Sequence, residues 1–189
     1  MRHALGLVAA LFLAWPLAAI FETPGGPSQV GSDTCPATAS LSCLLPLADS
    51  GTTVGANNTI GQLAGGCQGL TSVPGPDVVY KITLGFQDVL YPSFTVIPAA
   101  GYDVALYLLS SAEPGCPTGL GNSVTNCVAA ANSGGPGITE TIPLTFGLPF
   151  GTYYLFVDSP GASGAGSSGT YQVFLNKLCP AELIDYSVD

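Results

Sequence analysis

The chain is 189 residues long, with 12 acidic side chains against 3 basic ones, a formal charge of −9 and only 8% charged residues beside 47% hydrophobic ones. That length is room for one domain, and the apolar content excludes a disordered acidic tail and provides for a real core. The negative balance would repel phosphate backbones, which excludes nucleic acid as a partner.

Met1-Arg2-His3 is a short basic start, and the apolar run Ala4 to Phe21 gives way to a polar, turn-rich stretch. This pattern predicts a secretory signal peptide over 1–19, cleaved after Ala19, and not a membrane anchor, since no second apolar run of spanning length follows. Cleavage removes Arg2, His3, Trp15 and Met1, leaving Lys81 and Lys177 as the only cations and a charge of −10. A chain without His builds neither a Ser-His-Asp nor a Cys-His set, nor an imidazole metal site. Any metal should therefore be hard, with calcium first, held by carboxylate, amide and backbone oxygens.

All six cysteines, Cys35, Cys43, Cys67, Cys116, Cys127 and Cys179, lie beyond the signal. An even count in an exported chain predicts three disulfides and an extracellular or periplasmic location. Proximity favours Cys116–Cys127, closed over the turn-rich segment 117–126; the other four then pair among themselves in an order the sequence leaves open.

The hydrophobic period is two. Strands are expected at 41–47, 77–84, 90–97, 104–109, 124–130, 138–146, 152–158 and 170–176, where β-branched and aromatic residues alternate between Gly, Pro, Asn and Ser clusters. Scattered prolines leave no room for long helices. About eight short strands predict an all-β, antiparallel β-sandwich of jelly-roll type, linked by disulfides. Ala105, Tyr107 and Leu109 give one strand a second apolar face, which suggests cover on both sides. Gly151-Thr152-Tyr153 and Gly169-Thr170-Tyr171 open two similar segments, each with Phe at the same offset. They read as the arms of a hairpin with Tyr153, Leu155, Val157 and Tyr171, Val173, Leu175 facing the core.

Leu47-Ala48-Asp49-Ser50-Gly51-Thr52 matches the Asp-Ser-Gly-Thr pattern of an aspartic hydrolase. That chemistry needs two carboxylates sharing a proton, so Asp49 would need a partner copy in a homodimer. A carbohydrate-binding β-sandwich would instead stack sugars on exposed aromatics; Tyr91, Tyr102, Tyr107 and Tyr154 are the candidates.

Pro76-Asp77-Val78-Val79-Tyr80-Lys81-Ile82-Thr83-Leu84, Tyr102-Asp103-Val104-Ala105-Leu106-Tyr107-Leu108 and Gly151-Thr152-Tyr153-Tyr154-Leu155-Phe156-Val157-Asp158, with the closing Gly-Thr-Tyr strand, resemble the bacterial pre-peptidase C-terminal domain over roughly 40–178. The division is then a signal (1–19), an N-terminal flank (20–39), the sandwich (40–178) and a C-terminal flank (179–189). The resemblance implies a non-catalytic accessory or adhesive module that assists attachment to an extracellular protein or polysaccharide, or the secretion and folding of a partner. It also implies that calcium is an option. Asp77, Asp103 and Asp158 at strand ends are the candidate ligands, with Asn57, Asn58 and Glu140 as further oxygens. The turn after Cys127, Val128 to Gly134, lacks the acidic residues often found there in the family.

Overall fold

The computed structural model describes residues 31–37, 40–41, 48–84, 93–112, 115–143, 148–161 and 166–176. In chain order the strands are β1 (Ser40–Leu41), β2 (Ala48–Thr52), β3 (Ile60–Cys67), β4 (Leu70–Ser72), β5 (Val78–Leu84), β6 (Ser93–Pro98), β7 (Ala105–Ser110), β8 (Asn122–Val124), β9 (Cys127–Ala131), β10 (Glu140–Pro143), β11 (Gly151–Asp158) and β12 (Thr170–Asn176). Among the described residues no helix forms, and none is long and apolar enough to cross a membrane.

The strands make three sheets: β1-β5-β11-β7-β9, β10-β6-β12-β2 and β4-β3-β8. The five-stranded sheet is the middle layer. Alternation along β5 sends Val78, Tyr80 and Ile82 to one face, where they pack with Leu106, Leu108, Leu155 and Val157 against Phe94, Val96, Val173 and Leu175 of the four-stranded sheet. The opposite face presents Val79, Ala105, Tyr107, Leu109 and Phe156 to Ile60, Leu63, Val73 and Val124 of the three-stranded layer. The second apolar face of β7 is therefore a second core, in which the Tyr107 and Phe156 rings stack with centroids 5.0 Å apart. Each fully buried side chain of this size contributes about 1.5–3 kcal/mol, which is why the middle strands are apolar on both faces.

Three features differ from the sequence reading. The Ile60–Cys67 and Leu70–Ser72 strands lack the β-branched signature; Gly65, Gly66 and Gly69 at positive φ bend this segment back on itself, and the ladder is irregular between Gln62 and Cys67. The segment expected as one strand over 124–130 is two, β8 pairing parallel to β3 and β9 antiparallel to β7. The Gly-Thr-Tyr echo is no hairpin: β11 pairs with β5 and β7, whereas β12 pairs with β2 and β6 in the other sheet. The repeat marks two strands that face each other across the core, each turning its Tyr and the residues two and four further on inward.

The disulfides correct the Cys116–Cys127 pairing: Cys35 joins Cys116 and Cys67 joins Cys127. Between Cys116 and Cys127, Asn122–Val124 is drawn alongside β3, and Cys127 then aligns with Leu109 of β7 in the middle sheet. Cys116 pairs with the N-terminal segment, which docks through reciprocal Ser32–Val79 backbone hydrogen bonds of 2.9 and 2.8 Å. Asn126 holds the segment that precedes Cys116 by donating its amide to the carbonyls of Ser110, Gly115 and Ala112 at 2.7, 2.9 and 3.3 Å. Cys43 and Cys179 lie outside the described residues.

Candidate functional site

Asp77 immediately precedes β5 and Asp158 ends β11; Val78 lies opposite Val157, so the two acids are neighbours at one end of the middle sheet. Both are 0% exposed. Asp77 Oδ2 accepts from the backbone N–H of Thr59 and Ile60 at 2.7 and 2.9 Å, tying the third layer to the middle one, while Oδ1 is buried without a partner. Asp158 accepts from the Tyr107 hydroxyl at 2.8 Å and from the Ser159 N–H at 2.6 Å. Tyr102 donates to the Asp158 carbonyl at 2.9 Å. Burial raises the Asp77 carboxyl to about 6 against the pull of its two backbone donors. Burial, and then the charge of Asp77, push Asp158 well above the ordinary carboxylate range, and the Tyr107 phenol rises for the same reasons, burial first.

Asp103 stands apart from this pair. Its carboxyl is raised by burial and then by the charge of Glu140. Glu140 in turn holds the turn before β10, accepting from the N–H groups of Ser133 and Gly134 at 2.8 and 2.6 Å. The structure thus brings Asp77 and Asp158 together and places Asp103 with Glu140. Among the described residues, no group of three or more Asp, Glu, Cys or His side chains is arranged to hold a metal ion.

The Asp49 motif lies within a strand. Asp49 sits in β2 opposite Val173, on the core side, where Oδ2 accepts from the Tyr80 hydroxyl at 3.0 Å. Tyr80 and Tyr171 share a further hydrogen bond of 2.9 Å. The adjacent glycine serves packing: a Cβ on Gly51 would come 2.5 Å from the Tyr171 hydroxyl oxygen. The Asp-Ser-Gly-Thr segment therefore edges a sheet and anchors a tyrosine pair, a network that β-strand alternation cannot reveal because its partners come from β5 and β12.

Tyr102 and Tyr107 are 2% and 0% exposed and belong to the core, and Tyr154 is half-buried, so these three form no exposed aromatic row. Tyr91 lies outside the described residues. The outer face of the four-stranded sheet is different in kind. Its register aligns Thr52 with Thr170; Ser50, Gln172 and Ile97; Ala48, Phe174, Thr95 and Thr141; and Asn176, Ser93 and Pro143. Among the described residues no acidic or basic side chain stands on it, because the two acids of these strands, Asp49 and Glu140, both occupy core-side positions. Elsewhere a shallow cavity of about 290 Å³ opens beside Asp33, Asn57 and Leu120, but the Asp33 carboxylate is engaged by the Asn57 backbone and amide at 2.5 and 2.6 Å.

No family model and no curated protein matches the chain. A solved structure it resembles is the pre-peptidase C-terminal domain of collagenase from Bacillus anthracis, with a TM-score of 0.41 and 16% identity, over 70% of this chain and 90% of that one. The fold described above rests on this chain's own pairings, and no residue role is taken from that likeness.

Proposed function

We propose that this chain is a non-catalytic attachment module, exported to an oxidising extracellular or periplasmic space, that binds a protein or polysaccharide surface. One observation carries the reading. Of the seven described acidic and basic side chains, Asp77, Glu140 and Asp158 are buried and Asp33, Asp49, Lys81 and Asp103 are half-buried. Five of the six acids accept hydrogen bonds within the fold. Carboxylates engaged in this way hold layers and turns together; general acid or base work on an external substrate needs a group within reach of it. The two disulfides support export, since such bonds persist in oxidising compartments.

The test is depletion of the oxidised protein from solution by insoluble collagen, chitin, cellulose and peptidoglycan, in calcium and in chelator. Retention on one polymer is expected, and its loss in chelator would bring calcium, with Asp77, Asp103 and Asp158 as first candidate ligands, into the mechanism. Retention on none would overturn attachment and favour a role in a partner's secretion or folding. Hydrolysis of a substrate that Asp49→Ala abolishes would overturn the non-catalytic reading.

A further inference from the structure

We infer that the outer face of the four-stranded sheet is the binding surface, and that its ligand is a neutral, hydroxyl-rich polysaccharide lying across Phe174. This rests on the attachment reading and makes it specific.

Phe174 is the one aromatic of that face among the described residues, half-buried, with Thr95 on one side and Ala48 on the other, and with the exposed amides Gln172 and Asn176 two residues away on the same strand. Ala48 is too small to cover the ring edge. A sugar ring has an apolar C–H face and a rim of hydroxyls; the first stacks on an aromatic ring, and the second exchanges hydrogen bonds with amides and hydroxyls that both donate and accept. Thr95 and Thr141 already form a hydroxyl pair at 3.1 Å, extended by the Asn176 amide at 3.3 Å. Adjacent strands about 4.8 Å apart set these groups in parallel rows.

Charge decides between partner classes. Among the described residues the face carries neither cation nor anion, so they offer nothing to an anionic polymer or to the charged rim of a protein partner. Protein interfaces concentrate aromatics and Arg at their centre; here, among the described residues, one ring stands among hydroxyls and amides, with Ala48, Ile97 and Pro143 as the apolar remainder. An uncharged polyhydroxyl chain is the complementary ligand.

The experiment measures partition of the oxidised chain onto microcrystalline cellulose and chitin, with insoluble collagen alongside, for the wild type, Phe174→Ala, Gln172→Ala and Leu120→Ala. Leu120 is 70% exposed beside the third layer and controls for general surface change. Phe174→Ala should lower partition onto the polysaccharide about tenfold, Gln172→Ala should lower it less, and Leu120→Ala should leave it unchanged. Should Phe174→Ala fail to fold, the exposed Gln172 position carries the test. Retention on polysaccharide that the face variants leave unchanged overturns this surface while attachment stands. Retention on collagen alone overturns the sugar ligand and again leaves attachment standing. Retention on none of the three overturns this inference, and peptidoglycan then decides whether attachment survives.

Discussion

Asp77→Asn should weaken the loss of stability that the wild type undergoes as pH rises. The Asp77 carboxyl rises from 3.8 to about 6 on folding, chiefly because it is buried. The folded chain therefore holds this proton more tightly than the unfolded chain does. The resulting stabilisation is complete below about 3.8 and is lost as pH rises through about 6, a loss of about 3 kcal/mol at 1.36 kcal/mol per unit. Asparagine keeps an oxygen for the Thr59 and Ile60 donors and carries no charge. It also removes one of the charges that raise Asp158. Urea unfolding of the oxidised wild type and variant at pH 4 and pH 7.5 would measure the difference directly. The wild type should lose stability with rising pH, and the variant should gain about 3 kcal/mol on it between those two values. A gap that stays constant within about 0.5 kcal/mol, or one that moves in favour of the wild type, would refute the view that Asp77 is a carboxylate buried against its own charge.

Tyr107→Phe keeps the stacked ring but leaves Asp158 Oδ2 without its donor, and should cost about 1–3 kcal/mol at pH 7; an unchanged urea midpoint would show that the hydrogen bond is worth nothing net. Gly51→Ala forces a methyl against the Tyr171 hydroxyl and should cost about 1–3 kcal/mol; thermal melting checks it, and a neutral result would mean that Tyr171 moves aside freely. Non-reducing peptide mapping should recover Cys35 linked to Cys116 and Cys67 linked to Cys127, and a Cys116–Cys127 peptide would contradict the layer arrangement. Replacing both Cys67 and Cys127 with Ser opens a 60-residue separation and should lower stability by about 4 kcal/mol in the chain-entropy account, read from the same urea transitions.

The middle sheet is legible in the sequence because its physics is local. Tyr80 to Leu84 alternates, Tyr153 to Val157 is an unbroken apolar run, and the doubly apolar Ala105, Tyr107 and Leu109 announce a strand covered on both faces. The layer that covers the second face is not legible. Its strand β3 reads Ile-Gly-Gln-Leu-Ala-Gly-Gly-Cys, and its stability comes from a parallel partner about 60 residues away, a backbone-accepting carboxylate on Asp77 and a disulfide. None of these leaves a periodic trace. The cysteine pairing is hidden for the same reason: proximity in sequence predicts Cys116–Cys127, while the observed partners, Cys35 and Cys67, lie 81 and 60 residues away. Acids were legible as residues but not as roles. Asp at a strand end reads equally as a ligand or as a hydrogen-bond acceptor, and only the position of the Thr59, Ile60 and Ser159 N–H groups decides which donors Asp77 and Asp158 meet.

That decision bears on function. Burying a carboxylate is costly unless donors meet it, and this fold meets its acids with backbone N–H groups and tyrosine hydroxyls drawn from different layers. The acids thereby fix how the layers stack, at the cost of a raised pKa at the Asp77–Asp158 end. The same contacts bury Asp77, Glu140 and Asp158 and leave Asp33, Asp49, Lys81 and Asp103 half-buried, and the described outer face of β10-β6-β12-β2 holds hydroxyls, amides, one ring and the apolar Ala48, Ile97 and Pro143. A surface of that kind suits prolonged contact with an uncharged polymer, because water is displaced without stripping any ion of its hydration. Introducing one charge should therefore harm binding more than stability: Ile97→Glu, at a position 43% exposed beside Gln172, should leave the thermal midpoint within about 2 °C, as surface substitutions usually do, yet reduce retention on neutral polysaccharide severalfold. Equal retention by this variant would show that the contact surface lies elsewhere on the molecule.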